Sequence, residues 1–182
     1  SISKVDLLVG NSLHVIESNR SYVKSFSDRV VYNTFNIKKF CSSKISVSDP
    51  KLIKIPARYS SMKGLSKLKQ LILAERLSEY RFVFCGRDYP DNFEVANITC
   101  EGPKLNVFEL YDCGLVISFS EFGEGWQNVV FEALAMGVPV LSTNIGVVRE
   151  IDNELALAAG ILKYDINRVL SDQITQAFNL KP

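Results

Sequence analysis

The sequence predicts an α/β fold, a doubly wound parallel sheet, on three observations. From Leu52 onward short β-branched and aromatic runs alternate with helical patterns, and strand–helix alternation implies a parallel sheet covered by helices on both faces. The helical stretches carry an apolar stripe of 3.6-residue period, clearest at Leu65, Leu68, Leu71 and Ile72. Glycine and proline mark the joints, as where Gly137 and Pro139 close a helical pattern.

In order along the chain, Asp6–Gly10 (DLLVG) predicts a strand, Ser12–Val23 a helix capped by Ser12, and Arg29–Asn33 (RVVYN) a second strand. The polar stretch Thr34–Pro50 has little periodicity and reads as a linker. Leu52–Ala57 predicts a strand, Gly64–Ser78 a helix, Arg81–Gly86 a strand closed by glycine, and Asn97–Glu101 a short strand. Asn106–Asp112 predicts a short helix, Gly114–Phe119 a buried strand, Gln127–Met136 a helix and Val138–Ser142 a strand. Leu155–Lys163 is a further apolar run, and Asn167–Phe178 is an amphipathic helix. In sheets of this kind ligands bind beyond the carboxyl ends of the strands. The informative loops are therefore Arg58–Gly64, Gly86–Asp91, Ser120–Gln127 and Thr143–Arg149.

Composition bounds the function. The 182 residues are 47% hydrophobic and 23% charged, as in an ordinary globular domain. With 21 basic and 20 acidic residues the formal charge is +1, which argues against nucleic acid as a partner. The charge is uneven, however. Lys51, Lys54, Arg58, Lys63, Lys67 and Lys69 fall in a stretch, Lys51–Ala74, without Asp or Glu. Such a stretch suits a solvated basic face, a phosphate or an anionic membrane surface. Cys41, Cys85, Cys100 and Cys113 are widely spaced and form no CxxC pair, so neither a metal site nor a disulfide framework is expected. No apolar run is long enough to span a bilayer, the opening residues do not form a signal peptide, and a cytoplasmic setting fits. The chain starts at Ser1 without Met, as a piece of a longer protein would.

The chemistry concentrates in Ser118–Ile151, SFSEFGEGWQNVVFEALAMGVPVLSTNIGVVREI. A buried strand ends at Phe119, and a loop with Gly123 and Gly125 leads into a helix near Gln127. Glycine lets backbone approach a ligand closely, and the free N–H groups of a helix start favour a diphosphate. Glu124 lies in the loop and Glu132 in the second turn of the helix, where carboxylates can accept hydrogen bonds from sugar hydroxyls. On spacing alone the pair reads better as surface charge than as a site, since two glutamates eight residues apart are common by chance.

The whole string Glu124-Gly125-Trp126-Gln127-Asn128-Val129-Val130-Phe131-Glu132-Ala133, followed by Gly137-Val138-Pro139-Val140, resembles the signature of glycosyltransferase family four, with Ser142-Thr143 and Gly146…Glu150-Ile151 continuing the likeness. The resemblance implies a GT-B fold, of which this chain would be the C-terminal, Rossmann-like half, and retaining sugar transfer. It implies that Glu124 contacts the donor sugar and Glu132 the ribose hydroxyls. Backbone near Gly125, Trp126, Gln127 and Asn128 would lie at the diphosphate. Arg58 and Lys63, in ARYSSMKG, match the family's two cations, which neutralise the leaving diphosphate as its charge develops. FVFCGRDYPD, with Gly86, resembles the glycine loop beneath the nucleotide. VVYNTFNIKKF resembles the interdomain segment. Residues 1–40 would then be the end of a preceding domain plus linker, and residues 41–182 the donor domain.

Two departures stand out. Only Gly146, followed by Val147 and Val148, occupies a place where the family often has paired glycines. Trp126-Gln127 stands where Phe-Gly or Phe-Pro is usual, and Trp126 reads better as a packing anchor than as a sugar platform. The expected donor is a UDP-sugar, with a GDP-sugar next, and the acceptor a growing, lipid-linked glycan of a bacterial polysaccharide such as O-antigen. No Asp-x-Asp occurs, Asp88-Tyr89-Pro90-Asp91 having the wrong spacing, so no metal is expected. The acceptor-holding N-terminal domain, with its histidine, would lie outside this chain, and His14 reads as structural or incidental. The fragment alone is expected to be inactive, and the enzyme cytoplasmic and peripheral at the inner membrane face. Two alternatives stay open: a nucleotide-sugar epimerase of the same fold, which should lack the two-glutamate string, and a non-catalytic nucleotide-binding domain.

Overall fold

In the computed structural model, which describes residues 3–41, 47 and 49–182, the chain opens with a parallel strand pair, β1 (Ser3–Gly10) and β2 (Val23–Val30), connected through helix α1 (Leu13–Asn19). A short helix α2 (Ile37–Cys41) precedes the main body. That body runs β3 (Leu52–Pro56), α3 (Leu65–Ala74), β4 (Arg81–Cys85), β5 (Ile98–Glu101), β6 (Leu115–Ser118) and α4 (Asn128–Ala135). It continues with β7 (Val140–Thr143), α5 (Gly146–Glu150), α6 (Asn153–Ala158), β8 (Ile161–Tyr164) and α7 (Leu170–Phe178).

The six strands pair in parallel in the order β5-β4-β3-β6-β7-β8. Counted from β3 as first, this is the 3-2-1-4-5-6 order of a dinucleotide-binding Rossmann sheet. Alternation along each strand builds the two layers. Ile53, Ile55, Phe82, Phe84, Leu115 and Ile117 point to one face, where Leu65, Leu68 and Ile72 of α3 and Leu170, Ile174 and Ala177 of α7 cover them. Leu52, Val83, Cys85 and Val116 point to the other, beneath Val130 and Ala133 of α4, Phe40 of α2, Val148 of α5 and Ala156 of α6.

Several elements differ from the sequence-based expectation. Ser12 does cap α1, its hydroxyl accepting from the Val15 N–H, but the helix stops at Asn19 instead of reaching Val23. The residues from Val23 are drawn into β2 by the ladder that β1 offers, Ser3 to Gly10 against Val23 to Val30, so the expected strand at Arg29–Asn33 begins and ends earlier. The stretch 34–50, read as linker, contains α2, whose Phe40 is buried among Phe35, Phe108 and Tyr111; residues 42–46 and 48 lie outside the described residues. The run Leu155–Lys163 divides into the end of α6 and most of β8. The expected loop Thr143–Arg149 holds α5, and Asn106–Asp112 forms only a 3₁₀ turn at Val107–Leu110. Lys54 is the sharpest departure. It is 5% exposed on β3, its ammonium donating to the Glu109 carbonyl and pairing with Asp112. It therefore belongs neither to a solvated basic face nor to a membrane-facing one.

Burial pushes the thiols of Cys85 and Cys113 up to about 12 from an ordinary value of 9.0. A thiol kept neutral by the fold contributes stability that is complete below its unfolded value and is lost as pH rises through the folded one. The urea unfolding midpoint is expected to hold up to about pH 9 and to fall between 9 and about 12. A midpoint that stays level across that window contradicts the burial of these thiols.

Candidate functional site

The strand order leaves a crevice between β3 and β6. The chain leaves the carboxyl end of β3 toward β4 on one side, and that of β6 toward β7 on the other, so their loops diverge and open a cleft. A cleft of about 240 Å³ lies there, walled by Pro56 and Ala57 at the end of β3, by Ile117 to Ser120 at the end of β6, and by the residues leading into α4.

Two loops meet over it. After β3 a 3₁₀ turn, Ser61–Lys63, ends on Gly64, whose φ of 56° is left-handed and suits glycine. That reversal starts α3 and leaves Lys63 on the cleft wall. The loop after β6 is tied to the turn by the Glu121 N–H, which donates to the Met62 carbonyl at 2.9 Å. Between the two, Lys63 forms an ion pair with Glu124 Oε1. The Ser120 hydroxyl donates to the same oxygen at 2.6 Å, and the Ser120 N–H is itself held by Thr143 Oγ1 at 3.0 Å. Glu124 is 8% exposed, so its charge is compensated by a neighbouring cation and a hydroxyl, as a buried carboxylate requires.

Gly125 lets this loop seat closely. A Cβ there would stand 2.1 Å from Asn11 Oδ1 and 2.8 Å from Val15 Cγ2, and its carbonyl accepts the Val147 N–H of α5 at 2.8 Å. Trp126 stacks on Phe131, ring centroids 4.1 Å apart, and tilts against Tyr32. It packs and also faces the cleft. Gln127 is 4% exposed; its Oε1 accepts the Val148 N–H, and its Nε2 has no partner among the described residues. No side chain caps α4 at Gln127; the Val130 N–H bonds the Gln127 carbonyl at 3.0 Å, while those of Asn128 and Val129 have no partner among the described residues, a ready seat for an anion.

Of the site residues expected from sequence, Lys63, Glu124, Trp126, Gln127 and Asn128 line one cleft, with Gly125 between them. The other three do not line it. Arg58 is exposed in the loop after β3 and free of hydrogen bonds and ion pairs among the described residues. Glu132 sits one helical turn beyond Asn128, hence on the same face of α4, and its Oε2 accepts from the Tyr111 hydroxyl. Gly86, at the end of β4, packs against the Ala57 carbonyl, where a Cβ would approach to 2.1 Å. Ser120 and Tyr111 were not foreseen. For Ser120 the signal was a hydroxyl four residues before Glu124 at a strand end, while Tyr111 had none.

The six cations from Lys51 to Lys69 disperse. Lys67 pairs with Glu121 at 3.3 Å, Lys69 reaches the Asn92 carbonyl and the Phe93 ring, and Lys63 faces the cleft. His14 donates its backbone N–H to Glu150 Oε1 at 2.9 Å, and its side chain borders a second groove shared with Glu121 to Glu124. Tyr32 donates to the other Glu150 oxygen at 3.0 Å, so Glu150 ties the first two-stranded unit to the end of α5.

A family model, glycosyl transferases group 1, matches residues 56–177. No curated protein sequence matches the chain. Among solved structures, Anabaena HepE (Alr3699) in complex with UDP and glucose superposes with a TM-score of 0.75 at 18% identity, over 96% of this chain and 54% of that one. A glycosyltransferase from Rickettsia africae gives 0.70 at 19%, over 95% and 53%. The lipopolysaccharide outer core galactosyltransferase WaaB gives 0.63 at 14%, over 96% and 53%. At these identities the likeness is one of fold, the Rossmann-like fold of GT-B glycosyltransferases, and the chain spans about half the length of the structures it matches.

Gly125→Ala is expected to lower unfolding stability by about 1–3 kcal/mol, because the added methyl must displace Asn11 and α1. Urea denaturation measures it, and a change within about 0.5 kcal/mol, the range of neutral surface substitutions, would remove the close contact from the account.

Proposed function

The chain belongs to the group 1 glycosyl transferases, and from that premise we propose that it forms the donor-binding half of a retaining, family-four transferase acting on a nucleotide diphosphate sugar. The ion pair between Lys63 and Glu124, set in the crevice before the uncapped start of α4, carries this reading. A cation and a carboxylate in contact mark a place where phosphate oxygens and sugar hydroxyls can lie side by side. Glu124 would accept from the sugar hydroxyls, while Lys63 and the first N–H groups of α4 would hold the diphosphate. Arg58, unengaged and on the same loop as Lys63, supplies a second cation.

These groups act where charge develops. Breaking the bond between the sugar's anomeric carbon and the diphosphate leaves negative charge on the departing phosphate oxygens. Positioned cations in a water-poor cleft stabilise that charge far better than bulk water can. Lys63 begins on Glu124, so a donor that engages both exchanges one charge-assisted contact for two. Glu132, on the same face of α4, is assigned to the ribose hydroxyls. No step in this account calls on a metal.

A UDP-sugar is the donor of first choice and a GDP-sugar the second; the fold-level neighbour HepE is described with UDP-glucose. We assign the acceptor to a growing, lipid-linked glycan such as O-antigen, met at the cytoplasmic face of the membrane and held by an N-terminal domain outside this chain. The likeness to an outer core galactosyltransferase supports the polysaccharide setting.

Calorimetric titration with UDP, GDP and ADP is expected to show one preferred nucleotide, UDP, with Arg58→Ala and Glu132→Ala each weakening it by about 1–3 kcal/mol. Absence of binding to all three, or binding indifferent to both substitutions, would remove the donor site. Incubated with a UDP-sugar and a glycan acceptor, the chain alone is expected to yield no transfer product, and robust product would show that the acceptor half is dispensable.

A further inference from the structure

We propose that Tyr111 is a positioning residue for nucleotide recognition, clamping one oxygen of the Glu132 carboxylate so that the other is presented to a vicinal diol. The inference rests on the assignment of Glu132 to the ribose and adds how that carboxylate is aimed.

The geometry begins with burial. Tyr111 is 1% exposed, and its hydroxyl donates to Glu132 Oε2. A buried phenol that lost this acceptor would strand a polar group. Desolvation, with the Glu132 carboxylate second, pushes the phenol far above its usual range, so at any working pH it is a donor. A donor on Oε2 settles the rotation of the carboxylate and leaves Oε1, which has no partner among the described residues, to accept from a ligand.

The tyrosine is itself held on both sides along the chain. The Lys54 ammonium donates to the carbonyl of Glu109 and pairs with Asp112, the two residues that bracket Leu110 and Tyr111. Lys54 projects from β3, the strand that forms one wall of the cleft. Phe40 of α2 meets the Tyr111 ring edge-on at 6.5 Å. A chain of contacts thus runs from the central strand through the 107–112 turn to the carboxylate on α4. A free glutamate on a helix surface would sample several rotamers and would lose that freedom on binding. A clamped one has lost it already, which is the general gain of preorganisation.

The test compares UDP with 2′,3′-dideoxy-UDP, which lacks the diol, by calorimetry on the full chain. The chain is expected to prefer UDP by about tenfold or more. Tyr111→Phe should remove most of that preference while leaving the affinity for the dideoxy nucleotide and the far-ultraviolet spectrum unchanged. Adding Tyr111→Phe to Glu132→Ala should cost nothing further, because a residue acting only through Glu132 is silent once Glu132 is gone. Glu132→Asp, which leaves the tyrosine intact but draws the carboxylate out of its reach, should lose the preference as well, and this variant serves if Tyr111→Phe does not fold. If the unsubstituted chain and Glu132→Ala bind both nucleotides alike, the ribose assignment fails and the clamp with it. If Glu132→Ala loses the preference but Tyr111→Phe or Glu132→Asp keeps it, the donor site stands and the clamp alone is overturned. Equal weakening of both nucleotides by Tyr111→Phe would also overturn it, since it marks a purely structural role.

Discussion

The site depends on one constraint of chain routing: β3 and β6 are neighbours in the sheet although β4 and β5 intervene in sequence. Building outward from β3 in one direction and then from β6 in the other makes the loops at their carboxyl ends part company. What the sheet leaves between them cannot be filled by either connection, and it lies in front of the start of α4. A cleft in that position is thus a by-product of topology, present before any side chain in it has a task.

The side chains then turn an available space into a chemically selective one. Lys63 and Glu124 come from the two diverging loops, 61 residues apart, and they meet only because the Glu121 N–H bonds to the Met62 carbonyl and Gly64 allows the reversal into α3. Burying an ion pair is costly unless its remaining hydrogen-bonding capacity is met. Ser120 meets part of it, and Thr143, at the end of the next strand, holds Ser120. Three strand ends, those of β3, β6 and β7, therefore cooperate in fixing one carboxylate.

Much of this was legible in the sequence. Five of the six strands of the main sheet announced themselves because a parallel sheet covered on both faces needs short, mostly apolar runs; β8 was hidden in the longer apolar run Leu155–Lys163. The string from Glu124 to Glu132 was legible because its glycines, glutamates and helix start fall in a fixed order. What escaped notice did so for physical reasons. Lys54 looked like one more cation in a basic stretch, since its partner Asp112 lies 58 residues away. Helix α5 is five residues long and rich in valine, so neither length nor propensity distinguishes it from a loop; it exists because Val147 and Val148 are buried. Helix α2 is held by Phe40 against aromatic residues far along the chain. The ladder that lengthens β2 needs a partner, β1, that local pattern cannot reveal. Tyr111 sits in a run that reads simply as apolar, and its hydroxyl becomes meaningful only beside Glu132.

Trp126 is the single tryptophan of the chain, stacked on Phe131 and tilted against Tyr32, lining the cleft, with a buried indole N–H that has no partner among the described residues. Indole emission is sensitive to nearby charge, to stacking and to hydrogen bonding at nitrogen. With no second indole to dilute the signal, the protein carries its own optical gauge of cleft occupancy. A molecule entering the crevice changes the colour or brightness of that one residue, so binding can be followed in real time on the unlabelled chain.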